Sequence, residues 1–179
     1  MRATGVVRRI DDLGRMVIPK EIRRTMRMKE GDPLEIFIDS DGEIILRKYS
    51  MMDGMTSLSQ KYADSLYKIS GLSCAICDGD KVVSYAGPGK KEALGRAITS
   101  EIEDVSVSRM SYFKQFPNEK KIFVYSGSEL GAVGITPIIT GGDCAGTVSL
   151  LSENEQTLTD GQKKLLVLTA TLLAENLQP

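Results

Sequence analysis

Through residue 48 the apolar positions come in short runs separated by turn residues. Gly5–Ile10 and Met16–Ile18 predict two strands around a turn at Asp11–Gly14. Pro19 suits the first turn of a helix, so Lys20–Met26 follows as a short helix. Ile22 and Met26 share one of its faces, and Arg23 and Arg24 point away from them. Leu34–Ile38 and Ile44–Lys48 then predict a hairpin around Ser40, Asp41 and Gly42. After Gly54 the spacing lengthens. Met55, Leu58, Tyr62, Leu66 and Ile69 mark an amphipathic helix, and Ser73–Cys77 with Lys81–Tyr85 a hairpin. Leu94, Ile98 and Ile102 predict one helix over Lys90–Glu103, and Ile122–Tyr125 a strand. Val133–Ile139 and Ala145–Leu151 flank a Gly-Gly turn. Thr159 to Gln162 has the capping-box pattern that opens a last helix reaching about Leu177. One side of that leucine-rich helix suits the sheet and the other a partner chain, although burial within one domain explains it equally well. These spacings divide the chain into a small domain at 1–50, a linker at 51–55 and a larger α+β domain at 56–179.

The small domain lacks disulfides and metal ligands, and at about 50 residues it buries little surface against its ordering entropy. Interleaving two chains into one shared core relieves this, so a homodimer is expected.

Charge changes the picture further. Residues 1–29 carry nine Lys and Arg against three acids, net +6, and seven of the nine are Arg. The remaining residues carry 14 against 21, net −7. A basic head on an acidic body implies a polyanionic partner for the head alone. The chain has no histidine, which removes Ser-His-Asp and Cys-His nucleophiles and His-ligated zinc. No catalytic residue, metal site or cofactor is therefore expected. Three cysteines are an odd count that suits a reducing cytoplasm. No secretory signal and no membrane span are expected, since the longest uncharged stretch is 13 residues broken by Pro and Gly.

Thr4–Met26, TGVVRRIDDLGRMVIPKEIRRTM, continuing through Gly31–Ile36, strongly resembles the AbrB-type swapped-hairpin DNA-binding domain. Pro137–Gly146, PIITGGDCAG, is similar to a hairpin of GAF domains. The resemblance implies an α+β protein: an intertwined N-terminal swapped-hairpin β-barrel followed by a GAF-like α/β sensor domain. It implies double-stranded DNA as partner, with Arg8, Arg15, Arg23 and Arg24 on the DNA-facing surface and Arg9 beside them. Lys20, Arg27 and Lys29 are peripheral candidates. It also implies homotetramers, and activation and repression of late, forespore-stage sporulation genes in the cytoplasm. A small-molecule ligand at the GAF-like domain is an open expectation, as is a purely assembling role for that domain.

Two other readings compete. Some GAF-like proteins are cysteine-based reductases of methionine sulfoxide, and Cys74 and Cys77 form a C-x-x-C. On a strand, however, an offset of three puts the two sulfurs on opposite faces. Antitoxins share the swapped-hairpin head, and act as autorepressors, but end in a short disordered tail. Here about 125 residues patterned as a folded domain follow instead.

Overall fold

The computed structural model describes residues 4–28, 30–154 and 156–177. The chain divides into two compact units, Met1–Tyr49 and Ser50–Pro179.

In the first unit, helix α1 (Lys20–Thr25) follows Pro19, whose carbonyl accepts from Arg23 N–H at 2.9 Å. Strands β1 (Leu34–Ile38) and β2 (Ile44–Lys48) form an antiparallel hairpin. Asp39 closes its turn by accepting from the backbone N–H groups of Asp41 and Glu43. The strands expected at Gly5–Ile10 and Met16–Ile18 form no ladder within the chain; only the turn between them is present, with Asp11 N–H donating to Arg15 O at 3.0 Å. Apart from the part-buried Ile18, their large apolar side chains are left uncovered by their own unit. Val7, Ile10, Leu13 and Val17 are all exposed, and no residue of α1 is buried. A segment without a surface to pack on gains nothing by aligning into a ladder.

The second unit is a six-stranded antiparallel sheet with helices on both faces. Helix α2 (Thr56–Ser70) is followed by β3 (Ser73–Cys77) and β4 (Val82–Ala86). Helices α3 (Lys90–Ala93) and α4 (Ser100–Ser108) precede the short strands β5 (Tyr112–Phe113) and β6 (Ile122–Phe123). The long hairpin β7 (Gly131–Thr140) and β8 (Asp143–Ser152) leads into α5 (Asp160–Asn176). The strand order is β4-β3-β8-β7-β5, with β6 also paired to β7. Gly141 and Gly142, both at positive φ, make the two-residue turn of the β7–β8 hairpin. Thr159 caps α5 through the expected reciprocal bonds with Gln162.

Strand β3 is buried along its whole length because it sits between two cores. On one side Cys74, Ile76, Val148 and Leu150 meet Leu66 of α2 and Leu166 and Leu173 of α5. On the other Ala75, Cys77, Ile135 and Leu151 meet Ala93 of α3 and Ile102 and Val105 of α4.

Two expectations are corrected. The single helix over Lys90–Glu103 is two helices, because Gly95 turns left-handed at φ 75° and donates to Val82 O. Val82 N–H then bonds Arg96 O, and Ile98 bridges to Tyr125, so residues 94–99 run along the sheet. The linker expected at 51–55 is packed rather than free. Met52 is 1% exposed within the second unit's core, and Ser50 donates to the Asp78 carboxylate at 3.3 Å. Among the described residues no helix is long and apolar enough to cross a membrane.

Candidate nucleic-acid interface

The first unit carries the basic head. Arg8, Arg9, Arg15, Arg23, Arg24 and Arg27 are all exposed, as is Lys20, whereas Lys29 lies outside the described residues. Pro19 and the six residues of α1 place Arg23 and Arg24 consecutively on a helix that has no buried face. Among the described residues no acidic side chain pairs with Arg8, Arg9, Arg23 or Arg24; Arg8 donates only to the carbonyl of Val7, at 3.0 Å. Their guanidinium groups keep most of their donors for an outside acceptor. Arg27, just past the Met26 cap of α1, is in the left-handed region at φ 52°, and its carbonyl accepts from Lys48 Nζ at 3.4 Å. Lys48 also pairs with Asp32 at 3.3 Å, which fixes the end of α1 to the β1–β2 hairpin.

Arg15 is held differently. Its Nε donates to Asp11 Oδ2 at 2.8 Å, and its backbone N–H to Asp11 Oδ1 at 2.7 Å. Those bonds hold the Asp11 carboxyl below its ordinary range, the backbone donor of Arg15 first and its side chain second. The sequence reading took Asp11 only as a turn residue. The available signal was a carboxylate four residues before an arginine across a Gly-containing turn.

The structure brings Arg23 and Arg24 together on α1 and places Arg15 at the base of the Asp11–Arg15 turn, opposite Asp11. Within the single chain it shows no surface on which all five predicted arginines are fixed. Arg8 and Arg9 lie on a segment without a ladder.

In the second unit Cys74 and Cys77 are free and buried on opposite sides of β3, facing different cores. Burial pushes both thiols up. Cys77 reaches about 12, with the Asp78 charge adding to burial; Cys74 rises further, aided by the charges of Cys77 and Asp64. Two protonated sulfurs on opposite faces of a strand are poorly placed for thiolate chemistry or for a mutual disulfide. A groove of about 460 Å³ lies between β7 and α5, lined in part by Pro137, Ile139, Val167 and Ala170. Arg109, Ser111, Thr171 and Glu175 stand around it. Among the described residues no cluster of three or more metal-ligating side chains occurs.

Comparison with known proteins adds the following. Residues 54–178 match the family described as stage V sporulation protein T C-terminal, transcription factor. Residues 7–53 match the family described as antidote-toxin recognition MazE, bacterial antitoxin. The chain is 40% identical over 178 residues to stage V sporulation protein T of Bacillus subtilis (strain 168), with 99% of each chain covered. It is 46% identical over 72 residues to the transition state regulatory protein AbrB of the same organism, covering 40% of this chain and 72% of that protein. The GAF domain of an Acinetobacter phosphoenolpyruvate-protein phosphotransferase superposes on it with a TM-score of 0.58 at 13% identity. That superposition covers 73% of this chain and 83% of the other, and it assigns the second unit a GAF-like fold.

Proposed function

The chain belongs to the stage V sporulation protein T family of transcription factors, with an AbrB-type DNA-binding domain ahead of a GAF-like domain, and from that premise we propose how it works. Two chains interleave the segments 5–10 and 16–18, cover each other's exposed valines and isoleucines, and so double every arginine of the head. The paired Arg8, Arg15, Arg23 and Arg24, with Arg9 beside them, bind double-stranded DNA. The observation that carries this reading is the set of exposed guanidinium groups, those of Arg8, Arg9, Arg23 and Arg24 without an acidic partner among the described residues, on a unit whose Val7, Ile10 and Val17 are exposed.

The protein regulates transcription without catalysing a reaction, in the cytoplasm of the developing forespore, and both activates and represses late sporulation genes. Its GAF-like domain joins dimers into tetramers. The antitoxin reading fits poorly, because the MazE-like match ends at residue 53 and a folded domain follows rather than a disordered tail. Phosphate contacts fix the protein on the duplex, and because the arginines lie on a short helix and loops, DNA shape matters beside base contacts.

The test is gel-shift binding of the full chain to operator fragments recovered by genome-wide binding in sporulating cells. Arg23→Ala and Arg24→Ala should abolish specific binding while the dimer persists in sedimentation. Wild-type affinity in either variant refutes the assignment. A second reading, a small ligand on the GAF-like domain, is favoured by the groove between β7 and α5, whose lining combines apolar side chains with Arg109 and Glu175. A metabolite that binds there must raise the melting temperature of the wild type and not of Thr171→Trp.

A further inference from the structure

We infer that Asp11 is a positioning residue for DNA recognition, holding Arg15 so that only the two terminal nitrogens of its guanidinium remain to meet a base edge. The inference rests on the reading of Arg15 as a DNA contact and names what makes that contact selective.

Asp11 spends both carboxylate oxygens locally. Oδ1 accepts from the backbone N–H of Leu13 at 3.0 Å and of Arg15 at 2.7 Å. Oδ2 accepts from Arg15 Nε at 2.8 Å. The backbones are tied as well, with Asp11 N–H donating to Arg15 O and Gly14 N–H to Asp11 O, each at 3.0 Å. The carboxylate therefore shapes the turn with one oxygen and grips the side chain with the other. An arginine anchored at Nε keeps Nη1 and Nη2, and the Arg15 side chain is 70% exposed. The remaining edge is a rigid two-nitrogen fork of the width that matches the N7 and O6 acceptors of guanine.

Charge alone argues against placing a carboxylate here. An acid beside a DNA-facing arginine repels phosphate and offsets part of the head's positive charge. Its benefit is geometric. A free arginine follows whichever phosphate is nearest, whereas a held one contributes only where an acceptor pair falls in its plane. Arg23 and Arg24 have no such carboxylate among the described residues. Asp12 is the internal control: it has the same charge one position along, and neither its side chain nor its backbone is among the groups that bond Arg15.

The experiment compares Asp11→Asn with Asp12→Asn in the full-length protein, measuring Kd for an operator fragment and for a scrambled duplex of equal length. Asn keeps an Oδ1 acceptor for the turn but loses the charged oxygen that grips Nε. Both variants should bind the scrambled duplex at least as tightly as wild type, since each removes a negative charge. Only Asp11→Asn should lose specificity. The ratio of the two Kd values should fall on the order of tenfold, as expected for releasing one rotamer-rich side chain per subunit. In an Arg15→Ala background Asp11→Asn should change that ratio by less than twofold. The Arg15 Nε–H resonance, shifted and slow to exchange in wild type, should move and broaden in Asp11→Asn and not in Asp12→Asn. An unchanged ratio in Asp11→Asn, or equal loss on both duplexes, overturns the inference. So does a loss that persists without Arg15. If Arg15→Ala itself retains wild-type specific affinity, the underlying assignment of Arg15 fails instead, so the two failures are told apart.

Discussion

Val7 lies next to Arg8 and is 84% exposed in the single chain. On a strand its side chain points opposite to that of Arg8, so if Arg8 faces DNA, Val7 faces the shared core of the interleaved dimer. The substitution Val7→Asp tests this. In an isolated chain an exposed position tolerates it within about 0.5 kcal/mol. If two chains interleave as proposed, the outcome is different. Fully burying a valine contributes roughly 1.5–3 kcal/mol, and with 84% of the residue still accessible nearly all of that remains to be gained on assembly. The change occurs twice per dimer. Each introduced carboxylate also costs several kcal/mol to desolvate unless it stays in water by keeping the strands apart.

The smaller of these contributions, about 4 kcal/mol for the two valines alone, already corresponds to about three decades in the dimer dissociation constant. The assay is sedimentation equilibrium of residues 1–53 from 1 to 100 μM, with far-ultraviolet circular dichroism on the same samples. Wild type should sediment as a folded dimer throughout, and Val7→Asp as a monomer that has lost its strand signal. A variant that dimerises within tenfold of wild type refutes the reasoning, as does a wild-type fragment that is folded and monomeric. Assembly rather than DNA affinity is the readout, because an acid beside Arg8 would weaken DNA binding by charge alone.

Four further outcomes follow. If the dimer engages about six phosphates of a non-specific duplex, log Kobs against log salt on that duplex should slope near −5.4, and Arg24→Ala, which removes one contact per subunit, should flatten it by about 1.8; an unchanged slope places Arg24 away from the backbone. Thiol labelling at pH 8 should modify Cys144 in the folded protein and all three cysteines only after unfolding. The unfolded chain ionises Cys77 near its ordinary 9.0, whereas the folded protein holds that proton to about 12. Stability should therefore be intact below pH 9 and fall as pH rises above it, by up to about 1.4 kcal/mol per pH unit for each buried thiol, and Cys77→Ala should make that fall shallower. Gly146→Ala should destabilise the second unit by about 3 kcal/mol, because its Cβ would run into the Cys77 carbonyl oxygen and the Asp78 backbone. Calorimetry should show a drop of roughly 10 °C in the melting transition of that unit, and a drop of under 2 °C would show that the β3–β8 contact yields.

Elements whose cause is local were legible from the residues alone. The β1–β2 and β7–β8 hairpins follow from apolar runs on either side of a turn, and α5 from a capping box beside a leucine-rich run. The helix expected over Lys90–Glu103 shows where local reasoning stops. Leu94, Ile98 and Ile102 keep helical spacing, yet Val82 and Tyr125, distant in sequence, recruit residues 94–99 to the sheet. A periodicity cannot report a bond to a strand twelve or more residues away. Met52 was read as linker for the same reason, since only the folded second unit provides the core it enters.

The two candidate sites divide along the same line. The basic head could be found by counting, because charge adds along the chain and seven arginines in 29 residues survive any folding. The groove of the second unit draws on Arg109, Pro137 and Glu175, which no spacing brings together. Between these cases stands the pair of missing strands. Gly5–Ile10 and Met16–Ile18 are short β-branched, apolar runs beside a turn just as Leu34–Ile38 is, yet only the latter has a ladder within the chain. Leu34–Ile38 finds its partner ten residues on, at Ile44–Lys48. The first two segments bracket Asp11–Arg15 closely enough to pair with each other, and do not, so turn geometry is not what they lack. What they lack is a covered face for Val7, Ile10 and Val17. A second copy of the same segments, as proposed above, would supply that face, and in doing so would set a second Arg15, held by its own Asp11, across a two-fold axis from the first.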